Sequence, residues 1–195
     1  MNTTPPLSLP VHSAPDALGG ASGETAVAPL RAFLALSPVR GRVLVPACGE
    51  GAEVRLLAAG GASVVGLDEP SPALARARVL PRVGTADFRE GRWPHAPLAI
   101  GGHFDWVVDC ACFRRLPPAL RLRYLDEVDR ALTAGGRFFA LFLLGPREEA
   151  GAPYGILPDE LATLFARFDL LGKWHAAGTD PRSGGREEVR LYRKA

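Results

Sequence analysis

A run of aliphatic residues that ends abruptly in a glycine turn most constrains how this chain can fold. The segment Val43–Gly51 reads Val-Leu-Val-Pro-Ala-Cys-Gly-Glu-Gly, and a helical pattern over residues 53–59 follows it. A second apolar run, residues 63–68, then stops on Asp68. A strand, a glycine turn, a helix and a strand ending in an acid are typical of an α/β layer that binds a nucleoside. Glycine lets the backbone approach a ligand closely, and a carboxylate can accept hydrogen bonds from a ribose diol.

The composition indicates one domain with a full hydrophobic core. The chain has 195 residues, of which 47% are hydrophobic and 23% are charged, and this length favours a single domain. A net charge of +2 is too small to predict a nucleic-acid partner. We therefore expect a small-molecule partner and no nucleic acid. The sequence does not determine the oligomeric state, and we expect a monomer or a weak homodimer.

The sequence also predicts a cytoplasmic location. It contains no apolar run of about 18 residues, so no membrane span is expected. Its start lacks a basic stretch followed by an apolar block, so no signal peptide is expected. Three cysteines, an odd number without a scaffold pattern, suggest a reducing compartment.

The chain divides into a tail and a domain. Residues 1–24 are rich in Pro, Ser, Gly and Ala and are predicted to be a flexible tail, although part of this segment could fold over a ligand. Residues 25–195 are predicted to form the domain. Its first element is a helix, because Val27, Leu30 and Phe33 follow one another at helical spacing.

Alternating strand and helix patterns fill the rest of the domain. Further strands are predicted at residues 83–88, 104–109 and 137–144, and further helices at residues 71–78, 117–132 and 158–168. Two final strands, residues 169–174 and 187–192, flank a turn-rich segment and are predicted to form an antiparallel hairpin. We expect an α/β, doubly wound, Rossmann-like sandwich with a mostly parallel seven-stranded sheet. A ligand should lie at the carboxyl ends of the strands.

Several motifs together resemble those of class I S-adenosylmethionine-dependent methyltransferases. More narrowly, residues 40–193 resemble the thiopurine S-methyltransferase-like group. The resemblance rests on Val-Pro-Ala-Cys-Gly-Glu-Gly, Val-Val-Gly-Leu-Asp, Ala-Asp-Phe, Phe-Asp-Trp-Val-Val-Asp and Leu-Thr-Ala-Gly-Gly, beginning at residues 45, 64, 86, 104 and 132. Gly-Ala-Pro-Tyr at 151–154 and Gly-Arg-Glu-Glu at 185–188 also fit. The Pro-x-Cys-Gly turn and Gly-Arg-Glu-Glu are the narrower signals.

The resemblance implies that the chain binds S-adenosylmethionine, with S-adenosylhomocysteine as product. It assigns the methionine and ribose parts of the cofactor to the glycine turn, through the backbone of Ala47, Cys48, Gly49 and Gly51. Asp68 would bind the ribose hydroxyls.

The other strand ends would complete the site. Glu69 would flank the adenine together with Leu67, while Asp87 would accept a hydrogen bond from the adenine amino group and Phe88 would offer a backbone N–H and an apolar face. Asp109 and Cys110, with Ala111, would face the sulfonium and the acceptor. On the acceptor side the resemblance places Pro153 and Tyr154.

Two departures from the family pattern concern the turn and the acceptor pocket. Position 47 is Ala where many class I enzymes have Gly, and its methyl group is tolerable if the turn keeps φ negative. Family members often carry Trp in the N-terminal segment, whereas residues 1–40 contain none. Phe33 and His12 are the ring candidates there, and Phe33 is therefore a candidate acceptor contact.

The chemistry of methyl transfer favours a sulfur, selenium or tellurium acceptor. Displacement from a sulfonium releases a neutral thioether, so alignment and exclusion of water can provide most of the catalysis. A thiol can ionise near neutral pH, so a general base is optional. No metal spacing or nucleophile elbow is visible in the sequence. We therefore assign no metal site and no catalytic residue, with Cys112 only a candidate contact to a soft acceptor.

Other interpretations remain open at this stage. Cys110 and Cys112 could be small buried residues at a strand end, and Arg114, Arg115, Arg121 and Arg123 could form a solvated helix face. A nicotinamide-dependent oxidoreductase would need a third glycine, where the chain has Val54. A non-catalytic module that binds the cofactor, or an amine or carboxylate acceptor, also fits.

Overall fold

A computed structural model of the chain describes residues 24–81, 83–91, 103–145, 153–179 and 186–195. The predicted tail lies outside the described residues, except that Glu24 already begins the first helix. The elements follow one another along the chain as α1 (Glu24–Leu36), β1 (Arg42–Pro46), α2 (Ala52–Ala59), β2 (Ser63–Asp68), α3 (Pro72–Val79), β3 (Thr85–Glu90), β4 (Phe104–Asp109), α4 (Cys112–Arg115), a 3-10 turn (Pro118–Leu120), α5 (Arg121–Ala131), β5 (Leu132–Leu144), α6 (Pro158–Leu164), β6 (Phe168–Thr179) and β7 (Arg186–Lys194).

The strands form one seven-stranded sheet in the order β3-β2-β1-β4-β5-β7-β6. Strands β1 to β5 pair in parallel, whereas β7 runs antiparallel to both of its neighbours, β5 and β6. This arrangement confirms the predicted Rossmann-like sandwich and its C-terminal hairpin. The strand order reverses beside β1, where β2 lies on one side and β4 on the other. That position is where open α/β sheets bind ligands at the carboxyl ends of their strands.

Helices cover both faces of the sheet. On one face, α1, α2 and α3 bury an apolar cluster that includes Leu30, Leu57 and Leu74 against the strands. On the other, the cluster includes Leu125 of α5 and Leu161 of α6. Apolar burial on both faces explains why the central strands read as almost continuous aliphatic runs. None of the helices in the described ranges is both long and apolar enough to cross a bilayer.

The chain between β4 and β5 differs from the prediction of a single helix over residues 117–132. A short helix, α4, comes first, then the 3-10 turn, and α5 ends at Ala131. Strand β5 begins at Leu132, so Ala134-Gly135-Gly136 belongs to the strand and does not close the helix. Pro117 and Pro118 account for the early interruption, because proline has no N–H to donate inside a helix.

The turn between β1 and α2 uses left-handed backbone at three positions. The φ angles are +53° at Ala47, +52° at Gly49 and +81° at Gly51. The condition that φ stay negative at position 47 is therefore wrong. A left-handed conformation brings the alanine Cβ close to the following carbonyl oxygen, a cost of about 1–2 kcal/mol that glycine does not incur. The turn therefore has this shape although alanine disfavours a positive φ at position 47.

Replacing Ala47 with glycine should therefore stabilise the fold. We expect Ala47→Gly to raise the free energy of unfolding by about 0.5–1 kcal/mol, the relief of strain less the extra freedom of glycine in the unfolded chain. Urea unfolding followed by circular dichroism measures this. The control is Ala75→Gly, at an exposed position inside α3, which should lose about 0.5–1 kcal/mol. Equal losses in both variants would show that position 47 carries no strain.

Candidate functional site

The carboxylate of Asp68 joins the ends of β1 and β2. Its Oδ2 accepts a hydrogen bond from the backbone N–H of Gly49 at 2.6 Å, and its Oδ1 accepts one from the N–H of Glu69 at 2.8 Å. The side chain is only half-buried. Because a carboxylate has about four lone-pair sites, each oxygen can accept another donor. Asp68 therefore orients the glycine turn and still has capacity for a ligand.

Space beside the turn is open where a ligand would need it. A Cβ placed on Gly49 would meet no other atom within 4 Å. Gly51 is different, since a Cβ there would overlap the ring of Phe88. Gly66 in β2 is equally closed, because its Cβ would lie 2.8 Å from Val54 Cγ2. Gly51 and Gly66 serve close packing, whereas Gly49 borders open space at the carboxyl end of β1, the position of the ligand crevice in open α/β sheets.

The thiol of Cys48 packs against β2, since a Cβ built on Gly66 would lie 2.9 Å from its Sγ. Cys48 is buried, and its N–H donates to the carbonyl of Leu67 at 3.2 Å, which fixes the turn against β2. Burial, followed by the charges of Asp68 and Glu53, raises the pKa of the thiol to about 12. The thiol is buried and neutral near pH 7. A ligand would therefore contact Cys48 through its backbone.

The carboxylate of Asp109, at the end of β4, has a structural role that the resemblance does not imply. Its carboxylate is fully buried. It accepts hydrogen bonds from the N–H groups of Ala111, Cys112 and Phe113 at 3.0, 2.6 and 2.9 Å, and from the hydroxyl of Tyr124 at 2.5 Å. Burial raises its pKa, and these four donors oppose that shift. The carboxylate orients the start of α4 and is enclosed by these donors, and contact between Asp109 and a cofactor stays a prediction.

The cysteines beside Asp109 are also buried. Burial is the main reason that the pKa values of Cys110 and Cys112 lie well above the usual range of a thiol. Cys112 belongs to the apolar cluster that contains Phe113, which does not favour contact with an acceptor. Cys110 stands at the carboxyl end of β4, where its position remains compatible with the predicted site.

The structure places Asp87 away from the end of its strand. In the register of β2 and β3, Asp87 lies opposite Val65, and the residue level with Asp68 is Glu90. Three residues of strand correspond to about 10 Å. The carboxylate of Asp87 is exposed and forms an ion pair with Arg89 at 2.7 Å. Contact between Asp87 and an adenine stays a prediction, and the register favours Glu90 for a position beside the crevice.

Phe88 and Glu69 flank the crevice in different ways. Phe88 is half-buried against the cluster under α2, with the guanidinium of Arg55 5.1 Å from its ring centre. It supports the turn through its contact with Gly51. Glu69 is exposed, and its backbone N–H donates to the carboxylate of Asp68.

Contact between Phe33 and an acceptor stays a prediction that the burial of this ring does not favour. Phe33 is buried under the sheet, where its ring stacks on Trp174 at 5.7 Å and lies 6.1 Å from Trp106 and 5.1 Å from Phe139. The same helical spacing that predicted α1 explains this position, because it puts Phe33 on the apolar side of the helix.

Pro153 and Tyr154 lie beside the end of β5, where the resemblance placed the acceptor. Both are half-buried. The N–H of Tyr154 donates to the carbonyl of Arg114 at 2.7 Å, and Ile156 forms a parallel bridge with Leu144. The segment is thereby attached both to α4 and to the sheet.

Arg121 holds the same segment from inside the protein. Its side chain is fully buried, so the interpretation of this arginine as part of a solvated face is wrong. The guanidinium donates to the carbonyls of Tyr154 and Gly155 at 3.3 and 3.0 Å and to Glu160 at 3.3 Å. It also lies 5.0 Å from the ring centre of Phe113. A buried arginine with several acceptors is a structural anchor, which its sequence neighbours did not reveal.

Sequence reasoning also assigned no role in the site to three charged side chains near Cys110. Glu53 lies in the first turn of α2, and its pKa is raised by burial and by the charge of Asp109, against its own backbone hydrogen bond. Arg114 and Glu187 form an ion pair at 2.5 Å whose side chains are largely buried. The charges of Glu53, Arg114 and Glu187 all influence the thiol of Cys110. The charges therefore converge at the carboxyl end of β4.

These residues fit an adenosyl ligand. The open side of Gly49 lies next to a carboxylate with unused lone pairs, which suits a ribose placed over the turn. In the described part of the chain, no three His, Cys, Asp or Glu residues are grouped as metal ligands would be.

The chain matches known proteins in the region that contains this site. The pattern of the family described as thiopurine S-methyltransferase matches residues 24–171. A thiopurine S-methyltransferase of Xanthomonas campestris pv. campestris is 31% identical over 144 residues, 66% of each protein. A thiopurine S-methyltransferase of Stutzerimonas stutzeri is 30% identical over 173 residues, 77% of this chain and 73% of the relative. The chain thus spans about two thirds of the length of the first relatives.

A solved structure supports the fold. The crystal structure of an S-adenosylmethionine dependent methyltransferase from Mesorhizobium loti superposes with a TM-score of 0.69, covering 88% of this chain and 99% of that chain. At 19% identity, this likeness concerns the fold alone. The family pattern extends from α1 into β6 and includes the glycine turn, Asp68 and the end of β4. The chain belongs to the thiopurine S-methyltransferase family.

Proposed function

We propose that the chain transfers a methyl group from S-adenosylmethionine to a small-molecule thiol or chalcogen acceptor. The observation that carries this proposal is the open space beside Gly49, whose N–H donates to the half-buried carboxylate of Asp68. Family membership supports the choice of donor, and relatives named for thiopurine S-methylation support a sulfur acceptor.

Residues of the turn and of β2 would hold the donor. Asp68 accepts from the ribose hydroxyls with the lone pairs that Gly49 and Glu69 leave unused. The backbone of Ala47, Cys48 and Gly49 lines the chain that leads from ribose to methionine. When bound, S-adenosylmethionine supplies an electrophilic methyl group on a sulfonium.

The acceptor would lie between the end of β4 and the Pro153–Tyr154 segment. Hydrogen bonds to Arg121 and to the carbonyl of Arg114 hold this segment in place. The segment therefore gives the acceptor a fixed wall. Rigid placement matters, because displacement from a sulfonium depends on alignment of three atoms. A thiol that ionises near neutral pH needs little more than this alignment.

Loss of the Asp68 carboxylate should weaken donor binding. We expect Asp68→Ala to reduce the affinity for S-adenosylhomocysteine at least about tenfold, since charge-assisted hydrogen bonds contribute about 1.5–3 kcal/mol. Isothermal titration calorimetry measures this. Asp169→Ala is the control, because Asp169 forms an exposed ion pair with Arg193 and should leave the affinity unchanged. Unchanged affinity in Asp68→Ala would remove this residue from the site.

A ligand and acceptor screen separates the proposal from its rivals. S-adenosylhomocysteine should raise the melting temperature and NADH should not, since Val54 fills the place of the third glycine required for dinucleotide binding. With isotopically labelled donor, mass spectrometry should then find a methylated product among thiols, selenite or tellurite, and not among amines or carboxylates. Stabilisation by NADH alone would favour an oxidoreductase. Donor binding without any methylated product would favour a non-catalytic module.

A further inference from the structure

Arg114 and Glu187 form an ion pair on the side of the site where the acceptor is expected. Arg114 lies in α4, which follows the end of β4, and Glu187 lies at the start of β7. The guanidinium and the carboxylate meet at 2.5 Å, and their side chains are 22% and 18% exposed. The pair is therefore sheltered from bulk water, yet a small molecule can still reach it.

The position of the pair matches the proposed acceptor wall. The carbonyl of Arg114 accepts the hydrogen bond from the N–H of Tyr154. In the register with β5, Glu187 lies one residue before the end of that strand. Alternation along β7 puts Glu187 on the same sheet face as Val189, which packs in the apolar cluster that contains Cys110. The ion pair thus extends from the end of β4 to the start of β7, at the carboxyl ends of the parallel strands.

The guanidinium of Arg114 has donors left for a ligand. Arginine has five N–H donors, and within the described ranges Glu187 is the one hydrogen-bond acceptor that this guanidinium meets. Arg121 differs, since it is fully buried and donates to two backbone carbonyls and a carboxylate. Glu187 orients one edge of the Arg114 guanidinium, and the other donors suit a planar anion such as a carboxylate.

We propose that Arg114, oriented by Glu187, binds an anionic group on the methyl acceptor. The inference rests on the proposed function, because it requires an acceptor between the end of β4 and the Pro153–Tyr154 segment. The reacting sulfur of the acceptor faces the methyl group of the donor, and the anionic group of the same molecule lies farther away, toward β7. The acceptor class is then a thiol or chalcogen compound that also has a carboxylate or a similar anionic substituent.

Two aromatic thiols that differ by one carboxylate test this assignment. The anionic group is present in para-mercaptobenzoate and absent from thiophenol. Arg114→Gln should lower kcat/KM for para-mercaptobenzoate at least about tenfold relative to thiophenol, the effect of one charge-assisted hydrogen bond. Most of this loss should appear in KM, because the carboxylate lies away from the reacting atoms. Arg114→Lys retains the charge without the planar group and should restore part of the preference.

Removal of the other member of the pair should act in the opposite direction. Glu187→Gln removes the negative charge beside Arg114 but retains a hydrogen-bond acceptor, so the preference for para-mercaptobenzoate should rise. Damage to the fold would impair both thiols in both variants, so opposite changes would identify the charges themselves. The control is Asp169→Asn. Asp169 pairs with Arg193 at 2.7 Å at the other end of β7, so this variant should leave the preference unchanged.

The remaining outcomes contradict the proposal in distinguishable ways. Equal losses for the two thiols in Arg114→Gln would limit the ion pair to a structural link between α4 and β7. Unchanged kinetics, or methylation of thiophenol alone by the unaltered protein, would remove Arg114 from the acceptor site. Should Arg114→Gln not fold, Glu187→Gln must still raise the preference, or the assignment fails. If the unaltered protein bound S-adenosylhomocysteine but methylated neither thiol nor any other acceptor of the screen, the proposed function itself would fail.

Discussion

The hydrogen bond from the Gly49 N–H to Asp68 is the contact on which the site depends. It joins the end of β1 to the end of β2 across the point where the strand order reverses. It helps to hold the left-handed turn, in which Ala47 has an unfavourable φ. One carboxylate thus holds the backbone in a conformation that opens the crevice and stays available to a ligand.

The fold could be predicted from the sequence almost completely, because its determinants are local and periodic. Strands β2 and β4 have the predicted bounds, since apolar spacing identifies a buried face and turn residues identify its ends. The stretch after β4 was less predictable. Its short helix α4 depends on hydrogen bonds to the carboxylate of Asp109. Helical periodicity in the sequence does not predict these bonds.

Site residues were harder to predict because the residue type does not determine where a side chain points in the fold. Asp68 and Asp109 both end a strand with an acid, yet one is half-buried with spare lone pairs and the other is fully buried with four donors. Phe33 was an aromatic candidate for the acceptor pocket, and its ring instead packs under the sheet. In the sequence, Arg121 resembles the exposed arginines near it, but in the structure its side chain is buried.

The end of β4 has an unexpected electrostatic character, which bears on catalysis. Asp109 is enclosed by donors, and burial keeps Cys110 in its neutral form. Arg114 and Glu187 offset each other there as an ion pair, so the neutral cysteine adds no charge beside the proposed donor. Under such conditions, exclusion of water and alignment can lower the barrier without a base. Burial therefore favours a structural role for these cysteines, in which they pack the end of β4.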